Sequence, residues 1–95
     1  MNDPGLLILA SLAGGDKHGY AMVQDIESFA ETRLGPGTLY GAITRLEEQG
    51  WIQPLESEDR RRPYRLTALG RRYLEEQMAT LDQVVKTAIR RLRHA

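Results

Sequence analysis

The sequence contains no cysteine, and this absence excludes disulfide bonds, thiol catalysis and thiolate zinc sites together. It has only two histidines, His18 and His94, and the second precedes the last residue of the chain. So few imidazole groups argue against a metal centre built by the protein. We therefore expect no metal and no cofactor.

Long hydrophobic runs are also missing from the chain. The apolar stretch from Leu6 to Leu12 is too short to cross a bilayer, and it lacks the basic flank and cleavage site of a signal peptide. These features predict a cytoplasmic protein with no membrane partner. The 95 residues suffice for one domain, near the lower limit of what buries a useful core unaided.

The chain carries no net charge, yet its charges are unevenly distributed. Residues 1–59 hold three basic and ten acidic side chains, whereas residues 60–95 hold ten basic and three acidic ones, so the two parts carry −7 and +7. The basic part opens with Arg60, Arg61 and Arg62, followed by Arg65. This asymmetry is an argument about partners and favours nucleic acid; a solvated charged surface is the alternative.

Two short helices are predicted before the first strong break in the chain. Asp3 and Pro4 suit the N-cap and first position of a helix whose residues from Leu6 to Leu12 are nearly all apolar. A second helix is predicted from Tyr20 to Ala30. Its apolar residues have helical spacing at Val23, Ile26 and Ala30, with Met22 and Phe29 beside them.

A third helix is predicted from Gly35 to Gln49. Gly35 is its expected N-cap, and Pro36 suits the first helical position because the N–H that proline lacks would be unpaired there anyway. Gly50 is a typical residue for the end of a helix. The inward stripe is predicted to consist of Leu39, Ile43 and Leu46.

A β-hairpin is expected after the third helix. Its strands are predicted from Trp51 to Leu55 and from Tyr64 to Thr67, joined by the polar loop Glu56 to Pro63. Pro54 indicates that the first strand lies at an edge, because proline cannot donate a hydrogen bond to a neighbouring strand.

The last predicted helix is the longest, from Ala68 to about Arg93, with Thr67 as its N-cap. Its apolar residues are spaced 4, 3, 4, 3 and 4 apart, which is the pattern of a heptad seam. Packing back on its own domain is one explanation, but the stripe extends past the residues left to cover it, so we favour a homodimer. The seam consists of Leu74, Met78, Leu81, Val85, Ala88 and Leu92.

The order of these elements predicts a mainly α fold with a small β-hairpin, of the winged helix-turn-helix class. We assign residues 1–67 to a DNA-binding domain and residues 68–95 to a C-terminal dimerisation helix. The third helix is the predicted recognition helix, because its outer face is small or polar, as entry into the major groove requires. That face carries Gly37, Thr38, Gly41, Thr44, Arg45 and Glu48.

Two kinds of DNA contact are expected from this arrangement. The first-turn N–H groups of Gly37 and Thr38 suit a phosphate, and Arg45 suits a guanine edge or a phosphate, although an ion pair between Arg45 and Glu48 is equally compatible with the spacing. The predicted β-hairpin is the wing of this fold, and it is expected to contact the DNA backbone or minor groove. Its predicted contact residues are Arg60, Arg61 and Arg62 at the tip and Arg65 on the return strand.

Several short motifs together resemble the PadR family of transcriptional regulators, over about Leu6 to Leu74. They are His18-Gly19-Tyr20, Gly37-Thr38-Leu39-Tyr40, Arg45-Leu46-Glu47, Gly50-Trp51-Ile52 and Tyr64-Arg65-Leu66-Thr67-Ala68-Leu69-Gly70. The resemblance implies a homodimeric repressor on an inverted-repeat operator in double-stranded DNA, and it leaves open whether a small-molecule effector releases the protein.

The resemblance also places Tyr20 and Tyr40 on the DNA side, where their hydroxyls reach phosphates; a partly buried anchor is the alternative for Tyr20. His18 is expected to begin the second helix or to face a phosphate. The complete set of DNA contacts predicted on the third helix is Pro36, Gly37, Thr38, Tyr40, Gly41, Thr44 and Arg45. His18 and Tyr20 add contacts from the start of the second helix.

Two positions depart from the family pattern. Gly41 stands where proline is frequent, and Trp51 where leucine is usual; we interpret Trp51 as a packing residue under the wing. Some members hold flat aromatic drugs between tryptophans of the dimerisation helix, but no aromatic residue follows Tyr73 here, so this mechanism is not supported.

Two other classes of function compete with this interpretation. A winged helix can serve only as a protein-interaction module, since a fold does not dictate a function. An enzyme would need more than His18 beside Asp16, because no nucleophile or phosphate loop accompanies them. We therefore expect no catalytic residues.

Overall fold

The computed structural model describes residues 3–94, and it contains the element order that the sequence predicts. The predicted mainly α fold with one small hairpin is confirmed. Met1, Asn2 and Ala95, which the two predicted segments 1–67 and 68–95 include, lie outside the described residues. The elements are α1 (Pro4–Ala13), α2 (Gly19–Ala30), α3 (Pro36–Glu48), β1 (Ile52–Pro54), β2 (Tyr64–Leu66) and α4 (Ala68–Arg93).

Within residues 3–94, side chains cap three of the four helices at their N-termini. Asp3 Oδ1 accepts a hydrogen bond from Leu6 N at 3.2 Å in α1, and Thr67 Oγ1 accepts one from Gly70 N at 3.0 Å in α4. His18 begins α2, where its Nδ1 accepts from Ala21 N at 3.3 Å. Only α3 starts without a side-chain cap, because Gly35 is its N-cap residue.

The core lies between α1, α2 and α3, with the base of the hairpin and the start of α4 closing it. The predicted inward stripe of α3 is buried, and Ala42 joins it. In α2 the buried stripe is wider than expected: Met22 is fully buried beside Val23 and Ile26, whereas Ala30 is only partly covered. Ala30 is less covered because it is the last residue of the helix.

The hairpin pairs its strands antiparallel, with Gln53 opposite Arg65. Each strand has three residues and is shorter than predicted. β1 is an edge strand, as Pro54 indicates, while β2 has a second neighbour: Tyr64 N donates to Lys17 O at 2.9 Å, and Lys17 N donates to Tyr64 O at 3.3 Å. The turn between α1 and α2 therefore continues the small sheet.

The first turns of α4 pack on the domain, and the rest of the helix leaves it. Leu74 is 6% exposed within the core, and Tyr73 stacks on Trp51 with ring centroids 3.7 Å apart. The sequence places Leu74 in the dimer seam, but the structure buries it within the same chain because α1 lies against this part of α4. A helix of 26 residues is about 39 Å long, and the molecule extends 57 Å along its longest axis.

Between residues 3 and 94, no helix combines the length and the apolar character that a membrane span requires.

The close approach of α4 to the hairpin depends on Gly70. A Cβ atom at this position would overlap Trp51 O and would lie 2.9 Å from Leu66 Cδ1. We expect Gly70→Ala to lower the free energy of unfolding by about 1–3 kcal/mol, because the overlap with backbone outweighs the gain in helix propensity. Urea denaturation followed by circular dichroism measures this change.

Gly41→Ala is the matched control, since Gly41 also lies inside a helix and a Cβ there would meet only Arg45 Nη1 at 3.5 Å. It should leave stability unchanged or raise it by up to about 1 kcal/mol. Equal stability of the two variants would show that the Gly70 contact does not hold α4 in place.

Candidate nucleic-acid interface

Most of the predicted DNA-contact residues outside α3 meet around one surface recess of about 280 Å³. The recess lies where the start of α2, the first half of α3 and the wing come together. It is lined by His18, Gly19, Tyr20, Tyr40, Arg60, Arg61, Arg62 and Tyr64. The tertiary structure thus joins residues that are more than 40 positions apart in the chain into one basic and aromatic surface.

Gly19 allows α2 and α3 to approach closely at this recess. It is buried, and a Cβ atom on it would lie 2.9 Å from Tyr40 Oη and 3.3 Å from Leu39 Cδ2. The Tyr40 ring therefore rests against the first turn of α2, while 54% of the residue stays exposed. This contact holds the Tyr40 hydroxyl beside the start of α2.

The three arginines of the wing tip are exposed. None of the four ion pairs formed within residues 3–94 uses Arg60, Arg61 or Arg62. Their charges are thus not neutralised by a salt bridge to the described part of the chain. At the base of the recess, burial raises the pKa of Tyr64 and the Glu47 carboxylate raises it further, so the phenol is neutral and able to donate.

The outer face of α3 is open along its first two turns. A Cβ atom on Gly37 would meet nothing within 4 Å, and the N–H groups of the first turn have no side-chain cap. Pro36, Thr38 and Thr44 are exposed beside it, with Thr44 Oγ1 donating to Tyr40 O at 2.9 Å. This face therefore presents small groups and free backbone donors, as the sequence predicts.

Arg45 is exposed on α3, away from the recess at the wing. Its guanidinium lies over Gly41, since Nη1 is 3.5 Å from where a Cβ of Gly41 would be. The alternative ion pair with Glu48 is not among the four formed within residues 3–94. Arg45 also borders a second recess of about 220 Å³ between α1, α3 and the stacked rings of Trp51 and Tyr73.

Arg65 stands apart from the other wing arginines. Its side chain forms a two-point ion pair with Asp16, with Nε to Oδ1 at 3.2 Å and Nη2 to Oδ2 at 2.8 Å. It does not line the recess. The hydrogen bonds from Arg65 lower the pKa of Asp16 and raise that of Arg65, so both groups stay charged near neutral pH.

The contacts of Asp16 and His18 argue against an acid–base pair. The Asp16 carboxylate binds Arg65, and the Nδ1 atom of His18 caps α2. Over residues 3–94, no group of three histidine, cysteine, aspartate or glutamate residues is placed to hold a metal ion.

Four residues around the interface were not predicted as part of it. Gly19 and Tyr64 line the recess, and Asp16 and Lys17 link the turn before α2 to β2. The sequence signal for Gly19 and Tyr64 lies only in the two motifs that contain them. Asp16 and Arg65 are 49 residues apart, and no local pattern predicts that they meet.

Three helices followed by a two-stranded wing, with a basic recess between the wing and the second helix, define a winged helix-turn-helix protein. The chain belongs to the PadR-like family of transcriptional regulators, whose family model matches residues 8–76. The predicted resemblance is confirmed, and the family is one of regulators and not of enzymes.

Individual relatives support this assignment. The chain is 49% identical over 83 residues to an uncharacterized 37.1 kDa protein in transposon TN4556 of Streptomyces fradiae, covering 87% of this chain but only 24% of that protein. It is 34% identical to the transcriptional regulator Rv3488 of Mycobacterium tuberculosis, covering 88% of this chain and 80% of that protein. A PadR family transcription regulator of Clostridium difficile R20291 superposes with a TM-score of 0.85 at 26% identity, covering 94% of this chain and 97% of that structure.

The contact between Gly19 and Tyr40 can be tested by a double-mutant cycle. We expect Gly19→Ala to cost about 1 kcal/mol of stability in the wild-type background, because the new methyl group overlaps Tyr40 Oη. In a Tyr40→Phe background the cost should be smaller, since the overlapping oxygen is gone. Urea denaturation of the four proteins measures the coupling. An identical cost in both backgrounds would mean that Leu39 or the backbone sets the approach, and not the Tyr40 hydroxyl.

Proposed function

We propose that this protein binds double-stranded DNA with α3 in the major groove and the wing on the flanking backbone. The observation that carries the proposal is the recess shared by α2, α3 and the wing. It places three arginines that form no ion pair within residues 3–94 beside the exposed Tyr40 of α3. Phosphates are recognised by such sets of arginine, tyrosine hydroxyl and backbone N–H groups. The recess is therefore proposed to hold the DNA backbone next to the recognition helix.

The recognition helix is proposed to discriminate between sequences through Arg45. Gly37 and Gly41 let the axis of α3 approach the bases, because neither carries a side chain. Arg45 lies one turn beyond Gly41 and is not held by an ion pair within residues 3–94, so its guanidinium is available for a bidentate contact to a guanine edge. The uncapped first turn of α3 supports a phosphate contact by Gly37 and Thr38.

The wing is proposed to supply the sequence-independent part of the affinity. Three exposed arginines at its tip can each neutralise a phosphate, and every such contact changes the slope of log K against log salt by about −0.9. Net charge does not oppose this role, because the acidic residues lie mainly before Asp59 and the basic ones after it.

We further propose that the protein acts as a homodimer through α4. Beyond Leu81 the helix has no buried residue, yet one side of it is apolar. Val85 is 53% exposed and Leu92 is 77% exposed. An apolar stripe of this length is stabilised by a second helix. The proposed contacts are Met78, Leu81, Val85, Ala88 and Leu92, with Val84 and Ile89 beside them.

A homodimer formed by two copies of α4 has a two-fold axis. The proposed operator is therefore an inverted repeat with half-sites roughly 34 Å apart.

A repressor is the simplest regulator that this arrangement supports, because a dimer that occupies promoter DNA excludes polymerase by overlap alone. A small-molecule effector, if one acts, has room in the recess of about 220 Å³ beside Arg45. An occupant there would contact the same helix that is proposed to read DNA. Genomic footprinting of the purified protein identifies operators and neighbouring genes together.

Two arginine variants separate the proposed roles of α3 and the wing. Arg45→Ala should cost about 1–3 kcal/mol of operator binding and change the preferred sequence, because it removes a base contact. Replacing Arg60, Arg61 and Arg62 by alanine should weaken binding evenly across sequences and reduce the salt slope by about 1 for each lost phosphate contact. Fluorescence anisotropy with labelled promoter fragments at several salt concentrations measures both effects.

The matched control removes three positive charges from the polar side of α4, by replacing Lys86, Arg90 and Arg93 with alanine. It should change the salt slope much less than the wing variant does. Equal reductions of the salt slope in the wing variant and in this control would mean that net charge alone attracts DNA. Absence of salt-sensitive binding by the wild-type protein would instead favour a protein-interaction module.

The dimer surface is tested by Val85→Asp combined with Ile89→Asp. Both residues are about half exposed in the protomer, so the fold should survive while the proposed interface gains two buried charges per chain. We expect monomers in analytical ultracentrifugation. Ala79→Asp with Gln83→Asp adds the same charges at the same spacing outside the stripe and should leave the dimer intact. A dimer that persists in the first variant would place the interface elsewhere.

A further inference from the structure

The turn between α1 and α2, residues 14–18, is joined to the wing by two independent links. One is the pair of backbone hydrogen bonds between Lys17 and Tyr64, at 2.9 and 3.3 Å. The other is the ion pair between Asp16, which precedes Lys17, and Arg65, which follows Tyr64. Together they connect β2 to the residue that caps α2, since His18 directly follows Lys17.

The Asp16–Arg65 pair has a geometry that fixes orientation. Both carboxylate oxygens are used, Oδ1 by Nε at 3.2 Å and Oδ2 by Nη2 at 2.8 Å, which is the two-point arrangement of a planar guanidinium. A pair of this type constrains the angle between its two elements as well as their distance. It therefore sets how the hairpin is placed against the start of α2.

The turn itself is held firmly by the domain. Lys17 Nζ donates to Ser11 O at 2.6 Å and to Gly15 O at 3.3 Å, and it lies 3.9 Å from Asp25 Oδ2. Ser11 is buried, and its hydroxyl donates to the same Asp25 oxygen at 2.6 Å. Asp16 consequently projects from a segment tied to both α1 and α2.

The outer part of the wing, by contrast, has little support of its own, although Ile52 and Leu66 at its base pack against the core. Its strands have three residues each, and a two-stranded hairpin is marginally stable without further packing. Its tip, which carries the three exposed arginines, is joined to the domain through the base of the hairpin and through this turn. The position of the tip relative to His18 and Tyr20 thus depends on the link between the turn and β2.

We propose that the Asp16–Arg65 pair positions the wing for DNA binding, and that Arg65 is a positioning residue and not a phosphate ligand. The inference rests on the DNA binding proposed above. It differs from the sequence-based prediction for Arg65, which counted it with the wing-tip arginines. Because Asp16 neutralises Arg65, the pair adds no net attraction for DNA, and its contribution is geometric.

Removing the Asp16 charge distinguishes a positioning Arg65 from a phosphate-binding Arg65, because the two roles predict opposite changes in DNA affinity. Asp16→Asn makes each protomer more positive by one charge and frees Arg65, so a phosphate-binding Arg65 would tighten DNA binding and steepen the salt slope by about 0.9 per half-site. A positioning pair predicts the opposite: affinity falls by about three- to tenfold and the salt slope becomes shallower, because a displaced wing tip loses phosphate contacts. Fluorescence anisotropy across a salt series distinguishes these outcomes.

The matched control is Asp82→Asn, which removes a carboxylate from another exposed ion pair, with Lys86 on α4. It makes the same change in charge away from the wing and should not weaken DNA binding. Asp16→Arg combined with Arg65→Asp restores the pair with reversed charges and should recover most of the affinity. Failure of the reversed pair to recover affinity, together with tighter binding by Asp16→Asn, would overturn the proposal.

A measurement without DNA tests the link directly. Tyr64 N–H donates to Lys17 O, so its hydrogen exchange reports whether the turn and β2 stay together. Asp16→Asn should accelerate this exchange severalfold, and Asp82→Asn should not. Unchanged exchange of Tyr64 in Asp16→Asn would refute the link. If the wild-type protein binds no DNA, the proposed function fails, whereas the exchange result still decides whether the pair holds the wing.

Discussion

Burial of most of the apolar surface of α1 is the constraint on which the rest of the fold depends. Ile8 and Leu9 are completely buried, and α1 contacts α2, α3, α4 and β2. A helix of ten residues cannot be stable alone in water, so its apolar surface must be covered by every neighbour at once. That requirement fixes α2 and α3 against each other and leaves the outer face of α3 free for a partner.

The same packing determines where the charges can act. The wing is too small to have a core, so it is placed by the start of α4, by the Trp51–Tyr73 stack and by the turn before α2. Its arginines then lie beside the start of α2, where backbone N–H groups add to the positive potential, and beside Tyr40 of α3. A chain of zero net charge thereby presents one basic surface.

Much of the fold was predictable because its signals are local. Caps at Asp3 and Thr67, the Gly35-Pro36 start of α3 and the helical spacing of apolar residues each depend on neighbours within one or two turns. The candidate site was predictable in its parts, since most of its residues lie in motifs or in a basic run. Their assembly around one recess was not, because it depends on packing between segments more than 40 residues apart.

By itself, the sequence determined the helices, the hairpin and which face of α3 is polar, because these follow from periodicity and backbone preference. Only the tertiary structure decided which individual side chains are buried and which form ion pairs, because local patterns cannot distinguish them. Leu74 has the same heptad spacing as Val85, yet α1 covers the first and leaves the second exposed. Arg65 follows the wing-tip arginines in sequence, yet only the folded chain brings Asp16 to it and neutralises its charge.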